Sequence, residues 1–373
     1  MRILMTTDTI GGVWTYTIDL IKGLEKYNVE VILATMGGPL SNSQLAQVRK
    51  LKKVILDASN YKLEWMEDPW KDLERAHRWL LQLSFTFNPD VIHFNSYSFD
   101  GKLFNAPVVV VGHSCVLSWW QAVKNESAPP DWQRYADLVK RGLHTADVVI
   151  APSHTMMMYL IDIYGDFKRA QVIYNSGDEM YFKPGSKEKI VFCMGRLWDE
   201  AKNLKLITEA ANDIPYPIFI AGDRKKSGPS KNASNLHFLG KLDKKDVARW
   251  LSIAGVYALP AYYEPFGLSI LEAAYSGCAL VLGKIDSLQE IWKDSALYCD
   301  PSNKKEFANQ VNTLMENNEM RLKYSQRAFK RSAEFKLAGM AGAYFSLYNS
   351  LLGAPWTIPE KKPSSPSTIK YGL

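Results

Sequence analysis

Short apolar runs alternate with helical patterns along almost the whole of this chain, and that alternation restricts the fold more than any other feature. Runs rich in Val and Ile stand at residues 2–7, 29–35, 54–56, 91–94, 108–112, 148–153 and 172–178. The pattern restarts at 190–194, 218–223, 236–240, 256–260, 279–283 and 296–298. Strands that are apolar on both faces and separated by helices belong to parallel sheets covered on both sides, so the expected class is α/β with doubly wound parallel sheets. A length of 373 residues leaves room for two such domains, at roughly 150 residues each. The break is expected in the Lys/Pro/Gly/Ser-containing stretch at 180–188, with one domain over residues 1–180 and the second over 181–335. Residues 353–373, rich in Pro, Ser and Lys and without periodicity, are expected to form a mobile tail.

Composition narrows the partners. The net charge of +6 is modest, and no nucleic-acid motif is present, so nucleic acid is not an expected partner. Basic clusters at 49–53, 224–231 and 241–245 read first as solvated surface, with an anionic ligand or a peripheral contact to anionic lipid as the sharper alternative. The four cysteines, Cys115, Cys193, Cys278 and Cys299, lie scattered in apolar runs without metal-ligand spacing, so buried free thiols and no metal site are expected. Residues 1–5 are too short an apolar run for a signal peptide or a membrane span, and the expected compartment is the cytoplasm.

The chemistry concentrates at turns between strand and helix. Glu264-Pro265-Phe266-Gly267-Leu268-Ser269-Ile270-Leu271-Glu272 follows the apolar run at 256–260 and leads into a helix closed by Gly277. Gly267 permits close backbone approach to a ligand, and the first N–H groups of the helix favour negative charge. Two carboxylates beside an anion-attracting helix end make sense if the ligand carries both phosphates and hydroxyls, because carboxylates accept hydrogen bonds from a diol. The alternative is a strand–helix unit with two solvated glutamates. A second turn, residues 195–203, places Arg196 and Lys202 between a strand and a helix, where two cations and the helix dipole can converge on a diphosphate or form a surface charge pair. Gly11-Gly12 after the first run suits backbone approach to a phosphate or a sugar, or a plain tight turn. It lacks the third glycine of the dinucleotide fingerprint, which argues against a nicotinamide-dependent oxidoreductase. His113 directly follows a strand, where ligands of open parallel sheets bind, although a core histidine bonded to a backbone carbonyl fits equally. Trp14, Trp119 and Trp120 offer aromatic faces to a sugar or to packing.

Glu264 and Glu272, separated by seven residues with Phe266-Gly267-Leu268 inside, resemble the signature of retaining GT-B glycosyltransferases, most closely glycosyltransferase family 4 (group 1). That resemblance runs from Gly12 through nearly the whole chain and implies two Rossmann-like domains facing a central cleft, with a final helix at 336–352 crossing back onto the first. It implies transfer of a sugar from a nucleotide diphosphate sugar to an acceptor hydroxyl with retention, without a metal and with no cofactor beyond the donor. Gly11 and Gly12 would lie near donor phosphates and acceptor, and His113 near the transferred sugar. Arg196 and Lys202 would hold the diphosphate, although the loop carrying Lys202 is one residue longer than the usual spacing. Lys241 and Leu242 would approach the base, Glu264 the donor-sugar hydroxyls, Phe266, Gly267 and Leu268 the donor through their backbone, and Glu272 the ribose. The family's hinge motif is matched only at Asn175 and Asp178. A nucleotide-sugar epimerase of the same fold and a non-catalytic sugar-nucleotide-binding protein remain as alternatives, and base, sugar, acceptor and oligomeric state are not legible.

Overall fold

The structure, a computed structural model, describes residues 1–223 and 233–353. The basic cluster at 224–231 and the expected tail beyond residue 353 lie outside the described residues. The first half contains strands β1 (Arg2–Asp8), β2 (Glu30–Met36), β3 (Val54–Ala58), β4 (Val91–Phe94), β5 (Val108–Val111), β6 (Val148–Ala151) and β7 (Ala170–Val172). Its helices are α1 (Gly12–Leu24), α2 (Asn42–Val48), α3 (Trp70–Phe87), α4 (Val116–Lys124), α5 (Gln133–Thr145) and α6 (His154–Tyr164). The second half contains β8 (Glu188–Met194), β9 (Ile218–Ala221), β10 (Leu236–Gly240), β11 (Ala254–Leu259), β12 (Ala279–Gly283) and β13 (Leu297–Cys299). Between and after them run α7 (Leu204–Ala210), α8 (Lys244–Ile253), α9 (Leu268–Tyr275), α10 (Asp286–Trp292), α11 (Lys304–Glu316), α12 (Asn318–Ser332) and α13 (Leu337–Leu351).

The strands form a seven-stranded sheet in the order β3-β2-β1-β4-β5-β6-β7 and a six-stranded sheet in the order β10-β9-β8-β11-β12-β13. Every pairing in both is parallel. These are two doubly wound Rossmann-like sheets, the GT-B arrangement. Side-chain alternation explains why the strands are apolar throughout: Ile3 and Met5 enter the core on one face of the first sheet and Leu4 that on the other. Val256 and Ala258 oppose Tyr257 and Leu259 across the second sheet in the same way.

Strand order also fixes where a ligand can sit. In each sheet the winding reverses once, between β1 and β4 in the first and between β8 and β11 in the second. A crevice opens outside the carboxyl ends of the strands at such a reversal. The loops leaving β1, β8 and β11 carry Gly11-Gly12, Arg196 to Lys202, and Glu264 to Gly267. Chain winding alone therefore sets these motifs at crevices.

α13 returns to the first sheet, where Met340, Ala341, Tyr344, Leu347 and Tyr348 join the core around Ile3, Tyr16 and Val109. A Cβ added to Gly23 of α1 would meet the Ala341 Cβ at 2.6 Å, so α1 and α13 touch almost backbone to backbone. Each large apolar side chain buried there contributes about 1.5–3 kcal/mol, which is ample to hold a helix distant in sequence.

α3 starts only at Trp70, and Leu63 and Trp65 lie in the preceding turns, because Pro69 stands at the helix N-cap. One candidate site residue is corrected. Trp14 does not open α1 toward a ligand: it is 5% exposed, sits in the core, and donates its indole N–H to Gln47 Oε1 at 2.8 Å.

Candidate functional site

Gly267 begins α9 with φ +88°, the left-handed region, and closes the first turn by accepting from both Ile270 and Leu271 N–H at 3.1 Å. The left-handed backbone favours glycine there, and a Cβ would also meet the Ile270 Cδ1 at 2.6 Å, so that methyl end would have to move. Leading N–H groups of a helix have no intrahelical acceptor, and these face the cleft from the reversal point of the second sheet.

Lys202 reaches the same place through a pinned loop. Asn203, in the left-handed conformation at φ +55°, donates to the Pro260 and Pro301 carbonyls at 2.9 and 2.7 Å and caps α7 through Leu206 N–H. Tyr262 N–H donates to the Ala201 carbonyl at 2.9 Å, so the two loops are bound side by side. The result is a 2.6 Å ion pair between Lys202 Nζ and Glu264 Oε2, both side chains 14% exposed. Two residues read from sequence as separate contacts to a donor thus neutralise one another.

Arg196 is held by Asp199, Nη2 to Oδ2 at 3.0 Å, with its guanidinium 5.4 Å from the ring centre of Trp198. Asp199 is nearly buried and does more: its Oδ1 accepts from Ala201 N–H at 3.1 Å and from the indole N–H of Trp119, on the first domain, at 3.0 Å. Trp120 packs edge-on against Trp119 at 5.9 Å.

The glycine turn of the first domain approaches both elements. A Cβ added to Gly11, whose φ is +82°, would lie 3.6 Å from Arg196 Nη1, and one added to Gly12 would lie 3.7 Å from Leu268 Cδ1. Arg196 and the first residue of α9 therefore both lie against the Gly11-Gly12 turn.

His113 follows β5, two strands along the first sheet from β1. Its Nε2 is 2.8 Å from Asn95 Oδ1, and its ring meets Tyr16 edge-on at 4.5 Å. Burial, helped by the neighbouring His93, pushes its pKa down to about 3, so the ring is neutral. Glu272 is pushed up to about 8 by burial, which Lys244 opposes and Asp19 reinforces. Lys244 itself spans the domains, 3.9 Å from Asp19 Oδ1 on α1.

Lys241 stands away from this cluster, mostly exposed and 3.8 Å from Asp223, while Leu242 packs partly against the core of the second domain. Asp178 pairs with Lys22 of α1 at 2.6 Å, and Asn175 is buried. All four cysteines are free and buried.

Sequence reasoning missed several participants. Asp8, at the carboxyl end of β1, accepts from Ile10 N–H at 3.3 Å, and burial raises its pKa to about 7 against the opposing charge of Arg196. The strand-end rule that singled out His113 applies to it equally. Lys244 was visible only as a member of the basic cluster at 241–245. Asn95, Asp199 and Asp19 carried no local spacing signal. Nor did Tyr263, whose hydroxyl accepts from Cys115 N–H at 3.1 Å and bonds Ser118 Oγ at 2.9 Å in the first domain.

No helix of the described residues is long and apolar enough to cross a membrane. The family model for glycosyl transferases group 1 matches residues 179–331, and that for glycosyltransferase family 4 matches residues 10–179. D-inositol 3-phosphate glycosyltransferase of Corynebacterium glutamicum is 23% identical, over 93% of this chain and 93% of its own length. N-acetyl-alpha-D-glucosaminyl L-malate synthase of Bacillus anthracis is 24% identical over 58% of this chain. The chain spans about three fifths of the length of the first curated relatives it matches, 63% and 61%. Among solved structures, sucrose-phosphate synthase of Thermosynechococcus elongatus has a TM-score of 0.78 at 19% identity, covering 95% of this chain and 99% of that one. HepE of Anabaena in complex with UDP-glucose has a TM-score of 0.73 at 17% identity, covering 94% and 100%. With both family models matching in order along the two halves, the chain belongs to the group 1, family 4 glycosyltransferases.

Proposed function

We propose that the protein transfers a sugar from a nucleoside diphosphate sugar to an acceptor hydroxyl, with retention at the anomeric carbon and without a divalent metal. The observation that supports this reading is the convergence of three turns, with Gly11 against Arg196 and Gly12 against Leu268. Departure of a nucleoside diphosphate builds negative charge on its phosphates, and donors fixed beforehand in a water-poor cleft lower that barrier most. Arg196, Lys202 and the leading N–H groups of α9 supply such donors, the work that a bound divalent ion would otherwise do. Glu272 accepts from the ribose diol and Glu264 from donor-sugar hydroxyls, while His113 and Gly12 form the facing wall. Retention follows the family's same-face attack, in which the donor phosphate takes the acceptor proton, so no carboxylate nucleophile is assigned. Peripheral membrane contact by the basic face at residues 241–245 is part of the proposal only if the acceptor is lipid-linked.

The test begins with a thermal-shift screen of UDP-, GDP-, ADP- and dTDP-sugars, because a cognate ligand raises the melting temperature with its occupancy. UDP-glucose comes first, since HepE of Anabaena was solved with it. The stabilising donor is then incubated with candidate acceptors, with and without EDTA. Transfer that survives EDTA supports the proposal. A changed sugar nucleotide without acceptor points to an epimerase, and binding with no turnover under any acceptor points to a non-catalytic subunit; either refutes it.

A further inference from the structure

The polarity of a hydrogen-bond chain behind His113 restricts what the ring can recognise. Asn95 is the pivot. Its Nδ2 lies 2.7 Å from the carbonyl oxygen of Thr6, an atom that only accepts, so the amide is oriented with its NH2 toward Thr6 and its oxygen away. Its backbone N–H donates to Thr6 Oγ1 at 2.9 Å, which fixes the residue a second time. The Asn95 oxygen faces two imidazoles: His113 Nε2 at 2.8 Å and His93 Nε2 at 3.2 Å. An amide oxygen only accepts, so both rings must carry their proton on Nε2.

The far end of the chain agrees. With Nε2 protonated, neutral His93 has its lone pair on Nδ1, and the Tyr348 hydroxyl stands 2.7 Å from that atom, ready to donate. Tyr348 belongs to α13, so the returning helix closes a chain that runs from Tyr348 through His93 and Asn95 to His113. No step of it conflicts with another. Burial pushes His93 down to about 4 and His113 to about 3, so neither ring holds a second proton near neutrality. His113 Nδ1 has no protein partner among the described residues and is not one of the buried polar atoms without one, so it keeps access to the cleft.

We infer that Asn95 is a positioning residue that holds His113 as the Nε2–H tautomer, presenting Nδ1 to the cleft as a hydrogen-bond acceptor, so that the donor-sugar substituent facing it is a hydroxyl and not a carboxylate. The inference rests on the proposed placement of the donor sugar against His113. A hydroxyl donates to the Nδ1 lone pair; a carboxylate has no proton to give and meets that lone pair with its own. With the sugar seated so that its C6 substituent faces the ring, the site selects neutral hexoses over hexuronates, which differ only there.

Two experiments test it, one of them independent of turnover. Nitrogen-15 NMR of protein labelled at histidine, with His113 assigned by the His113→Gln variant, should show a neutral Nε2–H ring at neutral pH. An Nδ1–H tautomer or an imidazolium overturns the inference even if sugar transfer is demonstrated. In the second, kcat/KM is compared for a nucleotide hexose and the hexuronate on the same base. Wild type should favour the hexose by about 100-fold, the order set by leaving one polar group without its hydrogen-bond partner. Asn95→Ala, which lets the ring choose either tautomer, should bring that ratio toward parity, whereas a purely structural loss would lower both donors together and leave the ratio unchanged. Equal or preferred use of the hexuronate by wild type, or an unchanged ratio in Asn95→Ala, overturns the inference. Absence of transfer from every donor, with the Nε2–H ring observed, would instead sink the proposed function and leave the positioning role of Asn95 standing.

Discussion

Replacing Glu264 with Gln should tighten binding of a bare nucleoside diphosphate while weakening sugar transfer. The Lys202–Glu264 pair is 2.6 Å long and both partners are 14% exposed, so its strength is not dissipated by solvent. A hydrogen bond to a charged group in such a setting contributes about 1.5–3 kcal/mol net. If the diphosphate draws Lys202 away from Glu264, that amount opposes binding in the wild type. Glu264→Gln keeps the size and one acceptor oxygen but removes the charge, so Lys202 is released to the phosphates. The expected gain in affinity for UDP, GDP or ADP is about 10-fold, with a ceiling near 100-fold if the whole pair is lost on binding. Isothermal titration calorimetry at two salt concentrations measures it, and the gain should shrink at high salt. Transfer by the same variant should fall, because the group proposed to hold donor-sugar hydroxyls has lost an ionised acceptor. Unchanged or weaker diphosphate binding by folded Glu264→Gln would refute the reasoning, since it would mean that Lys202 serves phosphate and carboxylate together or does not meet the phosphates.

Other expectations follow from the same geometry. Arg196→Ala should lower kcat by about 100- to 1,000-fold with an unchanged circular dichroism spectrum, and near-wild-type turnover would remove Arg196 from the mechanism. Gly267→Ala forces a Cβ against Ile270 Cδ1 at 2.6 Å in a left-handed backbone, so urea denaturation should show a loss of about 1–3 kcal/mol. Burial raises the folded pKa of Glu272 to about 8, well above the ordinary glutamate value of about 4.5, so the folded state binds the extra proton. Its contribution to stability is full below about pH 4.5 and is lost as pH rises through 8. Melting temperatures of wild type should therefore fall between pH 5 and pH 8 more steeply than those of Glu272→Gln; parallel curves would contradict the burial assigned to Glu272.

The fold was legible because its determinants are local and repeated. A strand such as 256–260 shows itself as a short apolar run, and parallel pairing needs nothing more than runs of that kind alternating with helices. Local signals set boundaries too: α3 begins directly after Pro69, the residue type least able to sit inside a helix. Glu264, Gly267, Arg196 and Gly12 were visible for a related reason, since each lies in a strand-to-helix turn where backbone geometry leaves a trace in residue type. Asp8 sits at such a turn too, one position beyond the apolar run at 2–7, where a lone aspartate leaves no distinguishing pattern.

What stayed hidden is long-range pairing of polar groups. Lys202 and Glu264 are 62 positions apart, and Trp119 and Asp199 are 80 apart and in different domains. Glu290 caps α6 from the second domain by accepting from His154 and Thr155 N–H at 2.8 Å, and also takes the Tyr174 hydroxyl. Nothing in the spacing of such residues marks them, because a polar side chain needs one partner at the right place rather than a periodic surface. The consequence reaches the chemistry: charges assigned from sequence one by one are already satisfied within the protein, so a ligand must exchange partners with them. On the proposed function, the affinity for a diphosphate is then set by the difference between two ion pairs, and Asp199 and Glu264, which hold Arg196 and Lys202, govern it as directly as the cations do.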